Sequence, residues 1–280
     1  MAPLLIALAA GAVIGLCLGA LGGGGSILTV PVLVSLLHLG PHAATCAALI
    51  IVGLSALTAT IAHARAGHVD WRAAALFGVA SSATPFGGSI ANRAADPKVL
   101  MIALSAVMLA AAASMLYRTR TRTRPGSNAE KPGEDGGAPS GSGNTATLTR
   151  TTTGRTARIA RLVAVALVVG FLTGFLGVGG GFLIVPALVL ALGFSMPTAV
   201  GTSLVIIVVT TAGAFTERIG STTVDWHIVL PFTAAAIAAS FLGTRISERI
   251  SPTALTRSFA VVLIAVAGFV AADTMLAMPI

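Results

Sequence analysis

Residues Gly19–Pro31, GALGGGGSILTVP, lie inside an apolar run that otherwise reads as helix. As a single helix, Pro3 to His38 would measure roughly 54 Å, far more than the roughly 30 Å of hydrocarbon in a bilayer. A break is therefore expected. Each glycine costs about 1 kcal/mol in a helix relative to alanine, so four in a row favour an unwound stretch by roughly 4 kcal/mol before packing is counted. Unwound backbone at membrane depth is tolerated only where protein or a polar cavity surrounds it. The glycines thus point inward, and Ser26 is placed to cap a new helix whose first N–H groups face that interior.

The same block returns 155 residues later. GALGGGGSILTVPVL from Gly19 falls on GFLGVGGGFLIVPAL from Gly174, with nine of fifteen positions identical. That shift also superposes Asp70-Trp71 on Asp225-Trp226, Gly88 on Gly243, Pro97 on Pro252 and Leu100 on Leu255. An internal duplication is the simplest explanation. In each copy a proline, Pro31 or Pro186, follows the block and is expected to free a carbonyl one turn back and add a kink.

Composition places the chain in a bilayer. Of its 280 residues 55% are hydrophobic and only 9% charged, and the mean hydropathy is +0.94. The net charge of +8 does not indicate nucleic acid, because nine of the seventeen Lys and Arg fall between Arg118 and Arg161 against three of the nine acids. YRTRTRTRP, residues 117–125, directly follows an apolar run and reads as the basic flank that marks the cytoplasmic side. From Pro125 to Thr153 the chain turns to Gly, Ser, Thr, Pro and charge, too polar to bury a core. Three parts follow: a membrane repeat over 1–117, a basic cytoplasmic linker, largely disordered, over 118–161, and a second membrane repeat over 162–280. Cys17 and Cys46 sit in apolar runs without a CxxC pair and read as small core residues.

The fold class expected is an all-α polytopic integral membrane protein with four to five membrane segments in each half. Five crossings per half around one cytoplasmic loop would make the halves inverted repeats. Should Ser26–His38, at thirteen residues, dip and return, four spans would remain and the repeats would be parallel. Charge in the third-to-fourth connections, Arg65, Asp70 and Arg72 against Glu217, Arg218 and Asp225, leans toward inversion. Asp70, Asp96 and Ser251 each precede an apolar helix as N-cap residues, the last two with a proline at the first helical position. The GxxxG pairs Gly11–Gly15, Gly15–Gly19 and Gly170–Gly174 read as close helix contacts.

Between Met1 and Ala62, and again between Leu162 and Phe215, the chain has no Asp, Glu, Lys or Arg. Carboxylates at membrane depth are the usual mark of cation-coupled carriers and cation channels. The candidate site is instead backbone amide and hydroxyl: Gly22, Gly24, Gly25, Ser26, Thr29 and Thr45 in the first half, Gly177, Gly179, Gly180, Gly181, Thr202 and Ser203 in the second. Such a lining suits a small anion. The histidines, His38, His42, His63, His68 and His227, read as solvated residues near interfaces, with a proton-carrying role as the alternative. No metal site, cofactor motif or catalytic constellation is legible, so an enzyme is not expected.

The two Gly-rich/Pro blocks, the GHVDW and TVDW motifs and the two modules around a basic loop resemble the TauE/SafE family of membrane transporters. The resemblance implies transport of small sulfur-containing or carboxylated anions such as sulfite, sulfonates or sulfoacetate, often outward across the cytoplasmic membrane. One departure is that the first half reads ATCAAL at 44–49 where the second reads AVGTSL at 199–204, which is closer to the family pattern. The partners expected are a small anion and the lipid bilayer, with no nucleic acid. The alternative from another class is a membrane scaffold that binds lipid or protein through its basic loop.

Overall fold

The computed structural model describes residues 2–35, 37, 39–94, 96–122, 149–176, 181–216 and 226–276. The protein is an all-α polytopic membrane protein. Its helices are α1 (Ala2–Leu21), α2 (Gly24–Ser35), α3 (Pro41–Arg65), α4 (Trp71–Ser82), α5 (Pro85–Ala94), α6 (Pro97–Arg122), α7 (Thr149–Leu176), α8 (Gly181–Pro186), α9 (Met196–Thr216), α10 (Trp226–Arg249) and α11 (Pro252–Leu276). Six of these, α3, α6, α7, α9, α10 and α11, are long and apolar enough to cross a membrane. Helices α6 and α7 run into the polar segment from both sides, so residues 118–122 and 149–161 are helical.

Local chemistry explains the boundaries. The Asp70 carboxylate accepts the Ala73 N–H at 3.0 Å and starts α4. Ser251 Oγ accepts the Ala254 N–H at 3.3 Å before Pro252. The apolar stretch from Ala73 to Ala91 forms two helices. Pro85 carries no N–H to bond the carbonyl four residues back and takes the first position of α5, just beyond the end of α4. The equivalent residue is Ser240, and α10 runs through. The two block prolines also differ: α2 continues through Pro31 to Ser35, whereas at Pro186 the α-helix gives way to a π-helical stretch, Ala187–Ala191.

The glycine block turns the chain back rather than letting it run on. Gly22 adopts φ +71°, and Gly25 then packs on the Ile14 carbonyl and the Leu18 side chain, so α2 lies antiparallel along α1. The helices are joined across the halves by glycine seams. Gly11, Gly15 and Gly19 of α1 press in order on the backbone of Phe232, Ala236 and Ser240 of α10, and Gly243 returns the contact at Leu16 and Ala20. The shift of 155 reproduces this seam: Gly170 and Gly174 of α7 press on Ser81 and Pro85, and Gly88 returns the contact at Phe171 and Phe175. The GxxxG motifs are therefore close helix contacts. Helix α3 crosses α9 in the opposite sense, with Gly53 against Thr211 and Gly201 against His63, and α6 pairs with its equivalent α11. Even single hydrogen bonds repeat, Leu39 N–H to Leu33 O as Phe194 N–H to Leu188 O.

Candidate functional site

The first Gly-rich break meets the second half of the chain directly. Gly23 lies so close to Gly181 that a Cβ there would stand on the Gly181 carbonyl, and Gly181 in turn abuts Ser26. Gly22 faces Ser203 Oγ, Val185 and Val200. Only residues without side chains permit backbones to approach this closely, which is the physical reason for the glycine run at this crossing. Gly22, Gly24, Gly25, Thr29, Gly181, Thr202 and Ser203 are all buried, and Ser26 is half-buried. Gly177, Gly179 and Gly180 lie outside the described residues.

The hydroxyls are held locally. Ser26 was expected to cap α2, but the helix begins two residues earlier at Gly24, and Ser26 Oγ instead donates back to the Gly23 carbonyl at 2.7 Å. Glycine can itself take helical geometry in a first turn, which leaves the hydroxyl nearer a free carbonyl than a free N–H. Thr29 donates to Gly25 O at 3.0 Å and Ser203 to Val200 O at 2.8 Å. Thr202 Oγ1 accepts the Asp70 N–H at 3.1 Å, tying α9 to the start of α4. Thr45 does not join this group near His63. It sits near the opposite end of α3, 63 − 45 = 18 residues away, roughly 27 Å of helical rise.

His63 departs furthest from expectation. Far from being solvated, it is 1% exposed, and its Nε2 lies 3.1 Å from the Gly19 carbonyl. That carbonyl belongs to the last turn of α1, where the break leaves it without a helical partner, and Thr244 Oγ1 approaches it at 3.4 Å. The placement follows from the end of α3. Gly67 takes φ +75°, with its N–H on Ala64 O at 3.1 Å and the His68 N–H on His63 O at 3.0 Å. This is a Schellman closure, and it folds His68 back beside His63, with ring centroids 6.2 Å apart. Gly201 makes the room, since a Cβ there would meet the His68 carbonyl. The signal was present in the sequence as a glycine two residues beyond Arg65, the C′ pattern that reverses a chain over its own last turn.

A sequence profile of the family described as "Sulfite exporter TauE/SafE" matches residues 7–270. This chain belongs to the TauE/SafE family. It is 33% identical over 272 residues to a "Probable membrane transporter protein" of Xylella fastidiosa strain 9a5c, covering 95% of this chain and 94% of that protein. It is 31% identical over 274 residues to a protein of the same description from strain Temecula1, with the same coverage. "Probable membrane transporter protein YunE" of Bacillus subtilis is 25% identical over 268 residues, covering 90% of this chain and 93% of that protein. No solved structure matches the chain. The TauE/SafE chain is thus a multi-pass membrane transporter, with a small substrate and a lipid surround.

Proposed function

We propose that this transporter carries small sulfur-containing or carboxylated anions, of the sulfite, sulfonate and sulfoacetate kind, across the cytoplasmic membrane and chiefly outward. The two halves act as inverted repeats, the basic linker lies in the cytoplasm, and the substrate passes where the Gly-rich breaks cross. The observation that supports this reading most is the backbone contact of Gly23 with Gly181, flanked by Ser26 and Ser203. The first break meets Gly181, the last glycine of the second block, and the opposed run of α3 and α9 is what a two-fold axis in the membrane plane would produce. The tight fit describes a closed arrangement, and rocking of one half on the other would part the glycines and admit an anion to the first turn of α2. Those N–H groups lack partners within their own helix and carry partial positive charge.

The lining needs no fixed cation to attract such a substrate, and a potential of 100 mV adds about 2.3 kcal/mol per charge to anion export. Purified protein in proteoliposomes, tested with sulfite, sulfoacetate and a simple carboxylate, is expected to show saturable flux of at least one sulfur-containing anion. Flux of none of them above protein-free vesicles would end the proposal.

A further inference from the structure

His63 is the one Asp, Glu, Lys, Arg or His among the described residues whose side chain is buried, and from the end of α3 it reaches the last turn of α1, the helix that leads into the first Gly-rich break. Its hydrogen bond fixes its chemistry. A carbonyl oxygen only accepts, so the bond to Gly19 O requires the hydrogen on Nε2, and in the neutral ring Nδ1 is a bare acceptor. Among the described residues Nδ1 has no hydrogen-bond partner, although it is fully shielded. His68 Nδ1 is likewise shielded and unpartnered, while the rest of that ring is half-buried on the loop after α3. The half-buried His68 ring, with its centroid 6.2 Å from that of His63, makes a route by which a proton can reach the bare Nδ1 of His63.

We propose that His63 is the proton site of this transporter, and that the anion and one proton cross together. This rests on reading the Gly-rich breaks as the anion pathway. Protonation at Nδ1 leaves the Gly19 bond intact and converts the ring to an imidazolium about one helical turn from Gly22. A buried cation without a partner is costly, and so is a buried anion. Each offsets the other, so each is bound better in the other's presence. The titratable groups that act on the His63 ring are His68 and Glu248 of α10; α1 and α9 present Gly19 and Gly201 to it, and Arg65 and Asp70 flank it along its own chain. The proton balance is one bound with the anion on one side and released with it on the other. Direction then follows the combined gradients, with export whenever the internal anion excess outweighs the opposing pH difference.

The test uses sulfoacetate, which is fully ionised near neutrality, in proteoliposomes with the potential clamped at zero and the interior one pH unit more alkaline. With one proton per anion, the wild type should concentrate sulfoacetate roughly tenfold inside. His63→Gln keeps a donor for the Gly19 carbonyl but cannot titrate, and it should not accumulate sulfoacetate above the outside concentration. Wild-type flux that stops at equal concentrations would overturn the proton link and leave the proposed function standing. Absence of any flux would remove both. Should His63→Gln fail to fold, proton uptake by unbuffered wild-type protein on adding sulfoacetate decides instead: uptake supports the inference, and no uptake refutes it. Tenfold accumulation by His63→Gln would show that the proton binds elsewhere.

Discussion

The two halves share a scaffold and differ in chemistry. Their seams match residue for residue, Gly15 and Gly19 with Gly243 in one, Gly170 and Gly174 with Gly88 in the other. Their polar groups do not. Thr202 and Ser203 on α9 correspond to Ala47 and Ala48 on α3, and Gly201, which receives the His68 loop, corresponds to Cys46. The first break is thus faced by hydroxyls and neighboured by a buried histidine, while the equivalent positions on α3 are apolar. Duplication supplies the matched glycine seams; the α9 hydroxyl that faces the first break, Ser203, has no equivalent on α3.

The largest effects should come from what the halves share. Gly15→Val and Gly170→Val each drive a side chain into the backbone of the opposing helix, Ala236 or Ser81 respectively. Overpacking of this kind costs 1–3 kcal/mol when neighbours can move, and about that or more against backbone. Both variants should lose monodisperse protein in detergent to a similar degree. A severe loss in one alone would break the equivalence of the seams.

Next come the polar groups that only one side has. Ser203→Ala removes the hydroxyl that faces Gly22 without opening the helix, and a hydrogen-bonding group of about 1 kcal/mol corresponds to roughly fivefold in flux. Ala48→Ser, the reverse change at the equivalent position, should leave flux within about twofold. Equal losses from both would mean that the chemistry is shared after all. Smaller still is Arg118→Ala. The guanidinium donates to the Val189 and Leu190 carbonyls at 3.2 and 2.8 Å beside the π-helical stretch, but it is exposed, and its removal should lower the melting temperature by only a few degrees. Gly268 has open space around its Cα, and Gly268→Ala should stabilise the protein by up to about 1 kcal/mol, setting the baseline for the seam variants.

Much of this fold was legible because glycine spacing and hydrophobic length act locally. The four-residue ladder of Gly11, Gly15 and Gly19, the block at Gly22–Gly25 and the shift of 155 each required only counting. What the sequence withheld depends on contacts between distant segments. That α2 folds back on α1 follows from the left-handed turn at Gly22 and the contact of Gly25 with Leu18, and a run of four glycines does not say which residue takes which conformation. The split at Pro85 was available as a proline inside an apolar run, but Pro31 and Pro231 sit within continuous helices, so proline alone does not decide. His63 read as solvated because it flanks a loop near a predicted interface; what covers it includes Gly201 on another helix, 138 positions along the chain (201 − 63). The twelve candidate residues were chosen by type, and Thr45 shows the limit of that choice, since it lies near the start of α3 while the other end of that helix, at His63, reaches the first break.

The most direct measurement compares Gly23→Ala with Gly24→Ala, adjacent residues in one break. A Cβ on Gly23 would stand on the Gly181 carbonyl, whereas a Cβ on Gly24 would have its nearest neighbour, Leu21 Cβ, at an ordinary 3.5 Å. In proteoliposomes of matched protein content, folded Gly23→Ala should lose nearly all anion flux and Gly24→Ala should keep most of it. Folded Gly23→Ala protein with wild-type flux would contradict a pathway through the crossing of the two breaks.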